Sequence, residues 1–89
     1  MIIVSQDKYK IVNLSNLTQI YITQDEEETA YYIRFETVDS LYDDLGEYKT
    51  EKRAKEVLQE MIKAYKESAF IEVDSIRSEN KVVYEMPKK

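Results

Sequence analysis

The stretch from Leu45 to Tyr65, LGEYKTEKRAKEVLQEMIKAY, limits what this chain can fold into more than any other segment. It holds the one glycine of the chain, Gly46, then a helix-entry residue, Thr50, then a single amphipathic run. The Thr50 hydroxyl stands at an N-cap position, where it can accept a first-turn N–H that has no partner inside the helix. Beyond it, Ala54, Val57, Leu58, Met61, Ile62 and Tyr65 recur at spacings of three and four, the period of one apolar helical face. Glu51, Lys52, Lys55, Glu56, Gln59, Glu60 and Lys63 fall on the other side. The pattern predicts an amphipathic helix over about 50–67. Such a helix needs an apolar surface to cover, and its flanks read as strands.

Met1 to Val4 is a β-branched run, followed by a turn at Gln6-Asp7-Lys8. Tyr9 to Leu14 resumes, and the polar NLSN of 13–16 interrupts it. From Leu17 to Thr23 the chain alternates, with Ile20 and Ile22 on one side and Gln19, Tyr21 and Thr23 on the other. Period-two alternation marks a half-buried strand. Ala30 to Val38 shows the same alternation more strongly: Tyr31, Ile33 and Phe35 share one side, Tyr32, Arg34 and Glu36 the other. Val38-Asp39-Ser40 reads as a turn. Leu41 to Tyr48 carries Asp43, Asp44 and Gly46, which points to an edge strand, a bulge or a loop. After the helix, Phe70 to Ile76 reads either as a strand or as an irregular connection, and Lys81 to Met86 closes the chain as a strand. Together these predict an α+β fold in one domain, 1–89: a small antiparallel β-sheet of about five to seven short strands with the helix packed on one face.

Composition removes many functions. There is no histidine and no cysteine, so the usual general base, the commonest transition-metal ligand and the thiolate nucleophile are all missing. One glycine cannot build a phosphate-cradling loop. No catalytic residue, metal ligand or cofactor is expected, and the chain reads as a non-enzyme. A formal charge of −5, from 18 acidic and 13 basic side chains, disfavours general adhesion to phosphate backbones or anionic lipid. The N-terminal apolar run is too short for a signal-peptide core or a membrane span, which with the missing cysteines fits a cytoplasmic protein.

Two acidic clusters stand out. Asp25-Glu26-Glu27-Glu28 lacks the alternating spacing and sharp glycine turn of a calcium loop, and reads as a solvated hairpin tip. Asp39, Asp43, Asp44 and Glu47 read as surface acids beside an edge strand, where charge blocks unwanted sheet pairing. The eight tyrosines are the other oddity. Tyr31, Tyr48, Tyr65 and Tyr84 follow apolar patterns and are expected in or beside the core. Tyr21 and Tyr32 fall opposite the apolar sides of their strands, with Arg34 nearby. On an open sheet face they can hold the sheet together, anchor a protein partner, or stack nucleic-acid bases.

Three stretches together, IIVSQDKYKIVNLSNLTQIYI at 2–22, LGEYKTEKRAKEVLQEMIKAY at 45–65 and VVYEMP at 82–87, resemble a group of small uncharacterised proteins encoded by phages, prophages and related mobile elements of Gram-positive bacteria. The resemblance spans most of the chain, least at 25–28 and 69–80. It implies a setting, the cytoplasm of a bacterial host, and transfers no activity and no catalytic residue. The expectation is a non-catalytic accessory protein that binds a host or phage protein through Tyr21, Tyr32 and Arg34, or assembles with copies of itself. A nucleic-acid-binding accessory protein using the same tyrosine face is the alternative.

Overall fold

The computed structural model describes residues 1–74 and 83–89, and for 68–74 the backbone alone. In order, the elements are β1 (Ile2–Val4), β2 (Ile11–Asn13), a 3-10 turn (Leu14–Asn16), β3 (Leu17–Gln24), β4 (Tyr31–Thr37), β5 (Tyr42–Tyr48), α1 (Glu51–Asp74) and β6 (Val83–Glu85). The α+β architecture is the one the sequence predicts, with six strands among the described residues. They divide into two three-stranded sheets. One has the order β2-β1-β6, with β1 antiparallel to β2 and parallel to β6. The other is the antiparallel meander β3-β4-β5.

With one glycine in the chain, the turns place other residues at positive φ: Lys8 at 69°, Glu28 at 58° and Ser40 at 66°. Left-handed backbone costs an L-residue roughly 1–2 kcal/mol, and side chains within each turn offset this. Asp7 Oδ1 accepts from the Ser5 hydroxyl at 2.6 Å and from Tyr9 N–H at 2.9 Å. Asp25 Oδ1 accepts from Thr29 N–H at 2.7 Å and Ala30 N–H at 3.2 Å. These bonds, that of the Ser5 hydroxyl foremost for Asp7 and, for Asp25, that of the Thr29 hydroxyl to Oδ2 at 2.5 Å foremost, hold both carboxyls below the usual range. The acids at 26–28 are exposed, so this segment is the solvated hairpin tip expected of it.

Among the described residues, one core joins both sheets and the helix. Ile3 of the first sheet and Met86, just past β6, meet Ile33, Phe35, Leu45 and Tyr48 from the second sheet, and Ala54, Val57 and Met61 from α1. Each large apolar side chain buried here is worth ~1.5–3 kcal/mol. Gln6 ties the two sheets together along the outer edge of β5. Its N–H donates to Leu45 O at 2.8 Å, its Oε1 accepts from Glu47 N–H at 2.8 Å, and its Nε2 donates to Glu47 O at 2.9 Å and Lys88 O at 2.8 Å.

The helix differs from expectation in length and in orientation. Arg53 N–H donates to Thr50 Oγ1 at 3.1 Å, so Thr50 is the N-cap as predicted. But α1 runs to Asp74 rather than to about 67. From Glu67 to Asp74 there is no glycine, proline or asparagine to stop it. Ala69 to Asp74 is therefore helix and not strand or loop; residues 75–80 of the 69–80 segment lie outside the described residues. The buried stripe is Ala54, Val57 and Met61. Leu58 is half-buried, and Ile62 and Tyr65 are 39% and 51% exposed, contrary to the expectation that they are covered. The helix is rotated so that one line of its apolar residues meets the core and the next line flanks it.

Candidate partner-binding face

The meander presents one face away from the core, and strand register builds it as a grid. Across β3, β4 and β5, Tyr21 stands opposite Arg34, which stands opposite Asp44. On one side of that row lies Thr23-Tyr32-Glu47, and on the other Gln19-Glu36-Tyr42. Unbroken period-two alternation puts the β3 and β4 members on this face. On β5 the alternation breaks. Register shifts between Ile33 and Arg34, whose partners are Gly46 and Asp44, so Leu45 is an extra residue. This bulge keeps Leu45, Gly46 and Tyr48 on the core side and moves Glu47 to the face that Asp44 occupies.

Tyr21, Tyr32 and Arg34, singled out in the sequence, are thus neighbours on one face, and all three are half-buried. Arg34 is at the centre. Its Nε donates to Asp44 Oδ1 at 2.8 Å, and its guanidinium carbon lies 4.8 Å from the centroid of the Tyr42 ring. The hydrogen bond to Asp44 raises the guanidinium pKa further above its ordinary value. At about one-third exposure such an ion pair contributes ~0.2–1 kcal/mol, and the ring adds ~0.5–1 kcal/mol. Gln19 Nε2 donates to Glu36 Oε2 at 2.9 Å, which orients a second carboxylate.

The charge of Glu47, then burial, then Asp25 push the Tyr32 phenol up; burial first, then Glu36, push that of Tyr21 up. Both phenols stay protonated at neutral pH and act as hydrogen-bond donors on aromatic plates. The grid holds three carboxylates, Glu36, Asp44 and Glu47, against the one guanidinium of Arg34. Beside it a shallow depression of about 340 Å³ opens between Tyr32, Glu47 and the Asp7–Lys10 turn.

Tyr42, 64% exposed, Asp44 and Glu47 are the members that sequence reasoning did not place on this face. A weak signal exists for Tyr42, which alternates with Asp44, but the bulge hides that of Glu47. The remaining tyrosines divide. Tyr48 is buried and Tyr31 and Tyr84 pack against the core as expected, whereas Tyr65 and Tyr9 stand out from it. Among the described residues no three carboxylates gather as a metal-binding set, and no helix is long and apolar enough to cross a membrane. Compared with known proteins, the chain matches no family model, no curated protein and no solved structure.

Proposed function

We propose that this chain is a non-catalytic accessory protein of a phage or mobile element that acts in the bacterial cytoplasm by binding a protein partner through the open face of β3, β4 and β5. The observation that carries this reading is the grid itself. Tyr21, Tyr32, Tyr42 and Arg34 make a contiguous aromatic surface, and tyrosine and arginine are enriched among the residues that dominate binding energy. The cation of Arg34 is committed to Asp44, so the surplus charge of the face is negative. A surface of this kind suits a partner that offers lysine or arginine side chains to the carboxylates and to the faces of the rings. Inhibition of a host or defence factor falls within that class. The same charge balance weighs against the nucleic-acid alternative.

The test is a tagged pull-down from a Gram-positive host lysate, with and without nuclease, using the wild type and a Tyr21→Ser/Tyr32→Ser variant of confirmed fold. Capture of a nuclease-resistant protein by the wild type, and its loss in the variant, is the expected result. Undiminished capture by the folded variant refutes this placement of the contact. Loss of every partner on nuclease treatment moves the assignment to nucleic acid.

A further inference from the structure

The second sheet has two edges, and among the described residues only one of them is protected. The outer edge of β5 carries Asp43, Asp44 and Glu47, is broken by the Leu45 bulge, and is held by Gln6 through its backbone and side chain. Charges, bulges and covering groups are the devices by which proteins blunt a strand edge. The first sheet ends in β2 and β6, three residues each. By contrast β3, at the other edge of the meander, is eight residues long, LTQIYITQ, without a charge or a proline. Its irregularity lies at its start, between Leu17 and Gln19, and Gln19 to Gln24 pairs with β4 in unbroken register. Among the described residues, nothing hydrogen-bonds to its outer side.

We infer that this edge is completed by a second copy of the chain, β3 against β3 in antiparallel pairing about a two-fold axis at Tyr21. The argument for a second copy lies in the strand's own sequence. Around Tyr21 the residues mirror in kind: Ile20 and Ile22, Gln19 and Thr23, Thr18 and Gln24. A two-fold interface requires a surface complementary to itself. Turned on Tyr21, the strand sets tyrosine against tyrosine, isoleucine against isoleucine, and amide against hydroxyl. Aromatic and β-branched cross-strand pairs of this kind stabilise a sheet. Electrostatics selects the antiparallel direction. It places the two Asp25–Glu28 tips at opposite ends, ~27 Å apart at ~3.4 Å per residue, well beyond a screening length of ~8 Å at physiological salt.

A second observation points to the same occupant. Beside β3, on its core side, lies an apolar groove of about 350 Å³ lined by Leu14, Leu17, Ile20, Leu58, Ile62 and Tyr65. This is where, among the described residues, the second apolar line of α1 stands uncovered. With the helix over β4 and β5, pairing of the β3 edges sets the two helices ~14–19 Å apart at a strand spacing of ~4.8 Å. Helices in direct contact stand 8–10 Å apart, so the helices do not collide. The gap takes the Ile62 and Tyr65 side chains of both copies. The product is a continuous six-stranded sheet with two helices on one side and two tyrosine grids on the other. This assembly uses the edge of β3 and does not depend on what the open face binds.

The absence of cysteine makes the test clean. Residues opposed across antiparallel strands have Cα atoms ~4.5–5.5 Å apart, within disulfide reach. Light scattering after gel filtration should give twice the 10.6 kDa chain mass. Tyr21→Cys should cross-link to a dimer on oxidation, while Asp39→Cys, at the far turn, should keep the dimeric mass and form no disulfide between copies. Gln19→Lys/Thr23→Lys sets lysine against lysine in the pairs about the axis and should weaken dimerisation at least about tenfold with the fold intact by circular dichroism. A monomeric mass up to about 1 mM chain overturns the inference. So does a Tyr21→Cys variant that remains dimeric yet forms no cross-link on oxidation, which would place the contact elsewhere.

Discussion

Gly46→Ala is the sharpest probe of how the two sheets are locked. An ideal Cβ at this position meets Tyr48 Cε2 and Oη at 3.0 Å and Cζ at 3.3 Å. Such a contact can be relieved if the neighbour swings aside, and here it cannot do so freely. The Tyr48 ring is 2% exposed, and its hydroxyl donates to Pro87 O at 2.8 Å. Overpacking against a fixed side chain costs ~1–3 kcal/mol, and breaking the Tyr48–Pro87 bond to escape costs ~0.5–1.5 kcal/mol instead. The stiffer unfolded chain returns ~0.4–1 kcal/mol. Central values of these ranges leave a net loss of ~0.3–1.3 kcal/mol, or a Tm lower by roughly 1–10 °C at ~4–8 °C per kcal/mol for a domain of this size. Thermal unfolding followed by circular dichroism reads it directly. Repeating the substitution in a Tyr48→Phe background removes one of the two closest contacts and the anchor, so the alanine should cost less there; this coupling is the signature of the pair. An alanine variant as stable as the wild type would show that the ring yields, and would refute the lock.

Met61→Ala should cost ~2–5 kcal/mol and Ile62→Ala less than ~1 kcal/mol in the monomer, because Met61 is 4% exposed and Ile62 39%; equal losses in urea titrations at concentrations below self-association would refute the helix rotation. Burial pushes the Tyr48 phenol from an ordinary 10.0 up to about 12. The folded value lies above the unfolded one, so the protonated phenol's contribution of about 2–3 kcal/mol is complete below pH ~10 and is lost as pH rises toward ~12. Urea midpoints measured at pH 9 and pH 11.5 should fall more for the wild type than for Tyr48→Phe, and parallel declines would rule this out.

Local chemistry makes much of this molecule legible in advance. The Thr50 cap, the turns at 6–8, 25–28 and 38–40, and the alternation in β3 and β4 all follow from residues close together in the chain. The shared face of Tyr21, Tyr32 and Arg34 follows too, since unbroken alternation leaves no other choice. Hidden features depend on distant partners or on single inserted residues. Nothing near Ile3 indicates that its second neighbour is Tyr84 in a parallel strand, or that the strands divide into two sheets. The amphipathic period shows which helix residues lie together and not which line of them meets the core, so it misplaces Ile62 and Tyr65. The Leu45 bulge hides Glu47, because one extra residue inverts every later assignment of side.

The parallel β1–β6 pair has a consequence for the order in which the molecule assembles. The meander joins neighbours in sequence through short turns, whereas β1 must wait for a strand some eighty residues away, Ile3 pairing with Tyr84. Contacts between distant residues form late because the loop they close is entropically expensive. The meander and the first turns of α1 should therefore gather first, with Ile3 still flanked on one side only. Pulse-labelled hydrogen exchange would record this as protection of the Ile33 and Phe35 amides ahead of those of Ile3 and Met86. During that interval the uncharged edge of β3 already exists while the strand that completes the core does not. Self-recognition at β3 can then precede the final closure of each copy.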